Sequence, residues 1–123
     1  MTRMIKISAA TILFFATSIA FACDYPERPP IPDGSTASKE DLLAAKDTVQ
    51  DFIAKVDEYL TCIETAEKEA AAQLDNPSTE ELARRDEMLN KKFDAANEEK
   101  VLLGEQFNQQ IRAYNEKVKA NKE

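Results

Sequence analysis

The sequence Leu-Asp-Asn-Pro-Ser-Thr-Glu-Glu-Leu, residues 74–82, decides how this chain folds. Its proline, Pro77, lacks a backbone N–H and restricts the residue before it, so a helix that arrives here has to end. Ser78 precedes Glu81 by about one helical turn, which is typical of a helix start because the serine oxygen accepts a free N–H group. The stretch therefore predicts a bend between two helices, the first ending at Asn76 and the second beginning at Ser78.

The first predicted helix covers residues 38–76 and opens with the same signature, Ser38 followed by Asp41. Its apolar residues recur with the seven-residue period of a coiled-coil seam. The two seam positions hold Leu42, Val49, Val56, Ile63 and Ala70, and Ala45, Phe52, Tyr59 and Ala66. One long amphipathic helix is therefore expected before the bend.

The second predicted helix covers residues 78–121 and carries a matching seam. Its two rows are Leu82, Leu89, Ala96 and Leu103, and Phe93, Lys100, Phe107 and Tyr114. In an antiparallel pair folded about Pro77, the numbers of facing residues should add up to a nearly constant value. The two seams meet this condition layer by layer, beginning with Ala70 opposite Leu82. We therefore predict an all-α fold, a two-helix antiparallel coiled-coil hairpin.

One layer of this predicted seam contains a charged residue, because Lys100 faces Phe52. A lysine can cover an aromatic ring with its aliphatic stem while its ammonium group stays in water. We therefore expect Lys100 to have a structural role.

Residues 23–37 precede the hairpin and contain four of the five prolines of the chain. Such a run cannot form a helix and favours extended polyproline II. Asp33-Gly34 then predicts a turn. An extended segment of this length reaches about 46 Å, whereas Cys62 lies roughly 36 Å along the first helix. The Pro-rich segment is therefore predicted to fold back along the first helix as far as Cys62.

Residues 1–22 have the features of a signal peptide. Basic residues at the start precede an apolar run, and Ala20-Phe21-Ala22 has the small-x-small pattern of a signal peptidase site. The run is about 15 residues long, whereas a membrane-spanning helix needs roughly 20. We therefore predict cleavage between Ala22 and Cys23, and a mature protein without a membrane span in the periplasm or outside the cell.

The predicted mature chain contains two cysteines, Cys23 and Cys62. In an oxidising compartment such a pair usually becomes a disulfide, which here would pin the Pro-rich segment to the first helix. Two alternatives stay open. Residues 20–23 partly resemble the lipobox of bacterial lipoproteins, which would place a lipid anchor on Cys23, and the cysteines can also pair between two copies of the chain.

Three short motifs resemble a group of small exported proteobacterial proteins that has no assigned activity. The motifs are Cys23-Asp24-Tyr25-Pro26, Ile31-Pro32-Asp33-Gly34 and Tyr59-Leu60-Thr61-Cys62. The resemblance covers mainly the N-terminal half of the mature chain. It implies a setting in the cell envelope and carries over no functional residue.

The composition argues against several classes of function. The chain has no histidine and a net charge of −7. Without histidine, Ser-His and Cys-His nucleophilic schemes are impossible within the chain, and two distant cysteines make a poor zinc site. The acidic charge repels phosphate backbones. We therefore expect no enzyme activity, no cofactor or metal site and no nucleic-acid partner.

The apolar residues exceed what the predicted seams need, which favours a protein-interaction module that binds another protein or its own copy. The candidate surface comprises Ile53, Leu60, Met88, Ala95 and Leu102. In a competing interpretation, the Pro-rich segment simply covers part of this surface. A holding chaperone for exported chains and a lipid-anchored structural protein of the cell envelope are the alternative functions.

Overall fold

The computed structural model describes residues 23–122 and contains two α-helices, α1 (Lys39–Ala72) and α2 (Thr79–Ala120). The two helices pack against each other, and this part of the chain has no strand. The predicted all-helical fold with two packed helices is therefore confirmed for residues 23–122. The predicted signal peptide, residues 1–22, lies outside the described residues.

Ion pairs between the helices indicate their relative direction. Arg85 of α2 donates to Glu67 of α1 at 3.0 Å, and Lys100 of α2 donates to Asp57 of α1. From the first pair to the second, the α2 residue lies later in the sequence, whereas the α1 residue lies earlier. The two helices therefore run in opposite directions.

Both helices begin with a serine cap. The Ser38 hydroxyl accepts from the Asp41 N–H at 3.1 Å, while the Asp41 carboxylate accepts from the Ser38 N–H at 2.9 Å. Ser78 accepts in the same way from the Glu81 N–H, also at 3.1 Å. These bonds satisfy donors that have no partner inside a helix.

The first helix ends earlier than the sequence predicts, at Ala72 and not at Asn76. Its last turn tightens, since Gln73 and Leu74 donate to carbonyls three residues back. Asn76 then has a φ of 46°, in the left-handed region that asparagine tolerates better than most residues. The boundary therefore shifts because residues 73–78 form the turn ahead of α2.

The buried core occupies the half of the hairpin that lies away from the bend. Val56 and Leu103 are 0 % exposed, and no side chain between residues 64 and 95 is fully buried. The buried apolar residues are Ala37, Leu42, Ala45, Val49, Phe52, Val56, Leu60, Ile63, Ala96, Leu103 and Phe107. Leu82, a seam residue in the predicted pairing, is 42 % exposed. The packing is therefore loosest next to the bend.

Residues 23–37 form neither helix nor strand, and their exposure repeats every third residue. Three prolines share a half-buried row with Cys23, while Asp24, Glu27, Pro30 and Asp33 are exposed. Polyproline II has three residues per turn, so this alternation is the one expected when such a helix rests on a surface.

Candidate functional site

Cys23 and Cys62 are joined by a disulfide, with Cα atoms 5.8 Å apart. The bond links the first described residue to the middle of α1. Neither cysteine of the described chain is free, which is consistent with the predicted pairing.

Tyr25 forms an aromatic cluster with two residues of α1. Its ring lies edge-on to Tyr59, with centroids 5.0 Å apart, and to Phe52 at 6.3 Å. Edge-to-face pairs of this kind add to the stability that area burial provides. Partial burial raises the pKa of the Tyr25 hydroxyl, and the nearby carboxylate of Glu99 raises it further.

Arg28 joins the Pro-rich segment to the second helix. Its guanidinium donates to the carboxylate of Glu99 and to the side-chain oxygen of Gln106. Two donors on one planar group fix the orientation of the side chain, which is 37 % exposed. The sequence signal for this contact is weak: Arg28 is the only basic residue of residues 23–37, but nothing in the sequence identifies its partners.

Gly34 approaches the second helix so closely that a larger residue does not fit. Its N–H donates to the Gln110 side-chain oxygen at 2.9 Å. An added Cβ would lie 1.8 Å from the Gln110 carbonyl oxygen. The turn itself is built by Asp33, whose carboxylate accepts from the N–H and the hydroxyl of Ser35. These bonds hold the pKa of Asp33 below its ordinary value.

The surroundings of Lys100 favour a structural role over ligand binding. Its ammonium group pairs with Asp57, and its side chain is 20 % exposed. The heptad pattern predicted that Lys100 reaches water past Phe52, and it did not indicate this carboxylate.

The predicted interaction surface is only partly available. Leu60 is 7 % exposed and belongs to the core, and Ile53 packs against that core. Including Leu60 was wrong, because the buried arc of α1 is wider than its heptad seam, whereas Ile53 is half-buried. Met88 and Leu102 are 62 % and 41 % exposed. They form, with the exposed Ala95, a heptad-spaced row on α2 that we call the α2 row.

An exposed apolar neighbour of this row was not predicted from the sequence. Val101 is 61 % exposed and directly precedes Leu102. Its position next to a predicted surface residue was the available signal. The exposed apolar area of α2 is therefore larger than the predicted row alone.

An open groove of about 700 Å³ lies between the helices on the bend side of the disulfide, and we call it the hinge groove. Apolar residues of both helices line it together with Cys23: Tyr59, Ile63, Ala66, Ala70, Met88 and Leu89. Its charged lining consists of Glu67, Glu81, Arg84, Arg85 and Lys92. The groove therefore combines an apolar lining with charged side chains, next to the loosely packed half of the hairpin.

Neither helix of residues 23–122 is long and apolar enough to cross a membrane. No group of three or more candidate metal-ligating side chains comes together in the same range.

Comparison with protein-family models, with curated proteins and with solved structures finds no match for this chain.

Proposed function

We propose that this protein is an exported, non-enzymatic interaction module of the periplasm or the extracellular space, and that it binds a protein partner or a second copy through the α2 row. The observation that carries this proposal is the exposure of large apolar side chains along one helix, with Met88 at 62 %, Val101 at 61 % and Leu102 at 41 %. Large apolar side chains that stay exposed along one helix favour a protein–protein contact site.

Residues 23–37 act in this proposal as a strap that folds back along α1 and lies in the groove between the two helices. Support comes from the disulfide at Cys62, from the Tyr25 ring on Phe52 and Tyr59, and from the Arg28 contacts with α2. The strap covers the flank of α1 that contains Tyr59. The α2 row lies outside the strap and is open to a partner.

Export is supported by the disulfide, since such bonds persist in oxidising compartments. The same bond engages the Cys23 sulfur that a lipid anchor would need, which supports an unlipidated protein. The intact mass measured without reductant tests both points. A monomer lighter by two protons agrees with the proposal, whereas a diacylglycerol mass increment would contradict it.

Site-specific photocrosslinking in intact cells tests the interaction surface. A photoreactive amino acid replaces Leu102 in one variant and the exposed Asn108 of the same helix in the control. We expect crosslinked adducts from position 102 and far fewer from position 108. Equal yields at both positions, or none at 102, would remove the α2 row as the binding surface.

Light scattering after gel filtration separates the two kinds of partner. A dimer that Leu102→Glu converts to a monomer identifies the second copy as the partner. A wild-type monomer at high concentration, together with adducts at position 102, identifies a different protein.

A further inference from the structure

The hinge groove continues the interface that the strap occupies. Cys23, the first residue of the strap, lines the groove, and so does Tyr59, whose ring contacts Tyr25. The strap therefore ends where the groove begins, and both are formed between the same two helices. At about 700 Å³ the groove is within the size range of ligand sites.

The charges of the groove are not balanced internally. Arg85 lies 3.0 Å from Glu67 and 3.9 Å from Glu81, so it pairs with both acidic residues of the lining. Among residues 23–122, no carboxylate lies within 4.0 Å of Arg84 or Lys92. Two cations are therefore left at the rim of an apolar groove, in a chain whose net charge is −7.

The spacing of these cations matches an extended peptide. Arg84, Met88 and Lys92 follow one line along α2, and the outer two are about 12 Å apart at 1.5 Å per residue. A polyproline II chain has three residues per turn and advances about 3.1 Å per residue, so carboxylates three residues apart point the same way and lie about 9 Å apart. The long, flexible Arg84 and Lys92 side chains can cover the remaining distance.

The floor of the groove also favours a particular kind of peptide. Helices have no free backbone groups along their length, so they cannot pair with the N–H groups of an extended ligand. The strap has fewer N–H groups that would need an acceptor, because its prolines have no N–H. A ligand that extends the strap line would have the same need, and the flexible Met88 can adapt to its side chains.

We propose that the hinge groove binds an extended, proline-rich segment of another protein, with acidic residues three positions apart that pair with Arg84 and Lys92. The bound segment continues the line of the strap towards the bend. This site is separate from the α2 row beyond their shared edge at Met88, so Leu102→Glu is expected to leave it unchanged.

Fluorescence anisotropy with a labelled synthetic peptide, PEPPEPPP, tests the proposal on the full oxidised protein. We expect saturable binding that weakens as salt is added. Arg84→Gln and Lys92→Gln should each weaken binding by about two- to fivefold, which is the range for an exposed charge pair. The peptide PQPPQPPP should bind the wild-type protein correspondingly less tightly.

Lys91→Gln is the matched control. Lys91 carries the same charge next to Lys92, pairs with Glu87 at 2.7 Å and does not line the groove. It should leave the affinity unchanged, and circular dichroism should confirm that all variants remain helical. Equal affinity for both peptides, equal loss from Lys91→Gln and Lys92→Gln, or binding of laurate in place of the peptide would each overturn the proposal.

Discussion

At the scale of single residues, the two glycines of the chain have opposite roles. Gly34 lies against the backbone of α2, where an added Cβ would meet a carbonyl oxygen at 1.8 Å. Gly104 lies within α2, and a Cβ added there meets nothing within 4 Å. Only position 34 therefore requires glycine, because only there does the backbone of α2 come too close for a Cβ.

Replacing each glycine by alanine tests this difference. Gly34→Ala should lower the free energy of unfolding by about 1–3 kcal/mol, because the turn has to move away from α2. Gly104→Ala should raise it by about 0.5–1 kcal/mol, because glycine within a helix costs conformational entropy. Denaturant unfolding of both variants measures the effects, and a stable Gly34→Ala protein would disprove the close approach.

The Tyr25 hydroxyl should have a higher pKa than an ordinary tyrosine hydroxyl. Burial and the Glu99 carboxylate disfavour its phenolate and raise its pKa. The stability that this group contributes is complete below the unfolded value of about 10 and is lost as the pH rises through the folded value. Absorbance of the phenolate against pH measures the shift. Tyr25→Phe should remove the part of the absorbance change that occurs at the highest pH in the folded protein. An unchanged absorbance curve in this variant would contradict the packing of the ring.

At the scale of elements, the capping box of α1 should give the protein an acid-sensitive helix start. Hydrogen bonds from Ser38 hold the pKa of Asp41 below its ordinary value. The contribution of Asp41 is therefore present above the unfolded value of about 3.9 and is lost as the pH falls through the lower folded value. Asp41→Asn should weaken this acid dependence, as measured by thermal unfolding across that range.

Two further variants complete this test. Ser38→Ala should lower the free energy of unfolding by about 1 kcal/mol, the usual effect of losing a cap. Asp47→Asn changes an exposed carboxylate within the same helix and should keep the acid dependence of the wild type. If Asp41→Asn and the wild type lost thermal stability equally as the pH falls, the cap would be ruled out as the source of the acid dependence.

The bend between the helices should depend on the backbone of Asn76. Its φ of 46° suits glycine and asparagine, whereas a β-branched residue is strained there. Asn76→Gly should change the stability little, while Asn76→Val should cost about 1–2 kcal/mol. Chemical unfolding of this pair isolates the backbone effect, since neither substitution removes a core contact. Equal stability of the two variants would argue against the left-handed conformation.

At the scale of the whole molecule, the disulfide should supply a large share of the stability. It closes a loop between cysteines 39 positions apart, which corresponds to roughly 4 kcal/mol in the chain-entropy model. A reductant should therefore lower the unfolding midpoint of the wild type towards that of a Cys23→Ala/Cys62→Ala variant. The variant itself should not respond to reductant, and a wild type that does not respond either would remove the disulfide from the stability argument.

Some structural features were predictable from local patterns. Pro77 and the capping serines define the bend and both helix starts, because proline and hydroxyl caps act on the nearest backbone groups. The heptad pattern predicts two amphipathic helices that bury one face each. The early end of α1 was not predictable in this way, since it follows from the conformation that Asn76 adopts in the turn.

Other features depend on residues that meet only in the folded chain. The sequence alone determines that an amphipathic helix lies on each side of Pro77, because the apolar pattern repeats within each helix. Only the tertiary structure decides that Leu60 is buried and that Arg28 pairs with Glu99. Each of these contacts joins residues that are remote in sequence. A periodic apolar pattern predicts which face of a helix is buried, but it does not identify the residues that pack against that face.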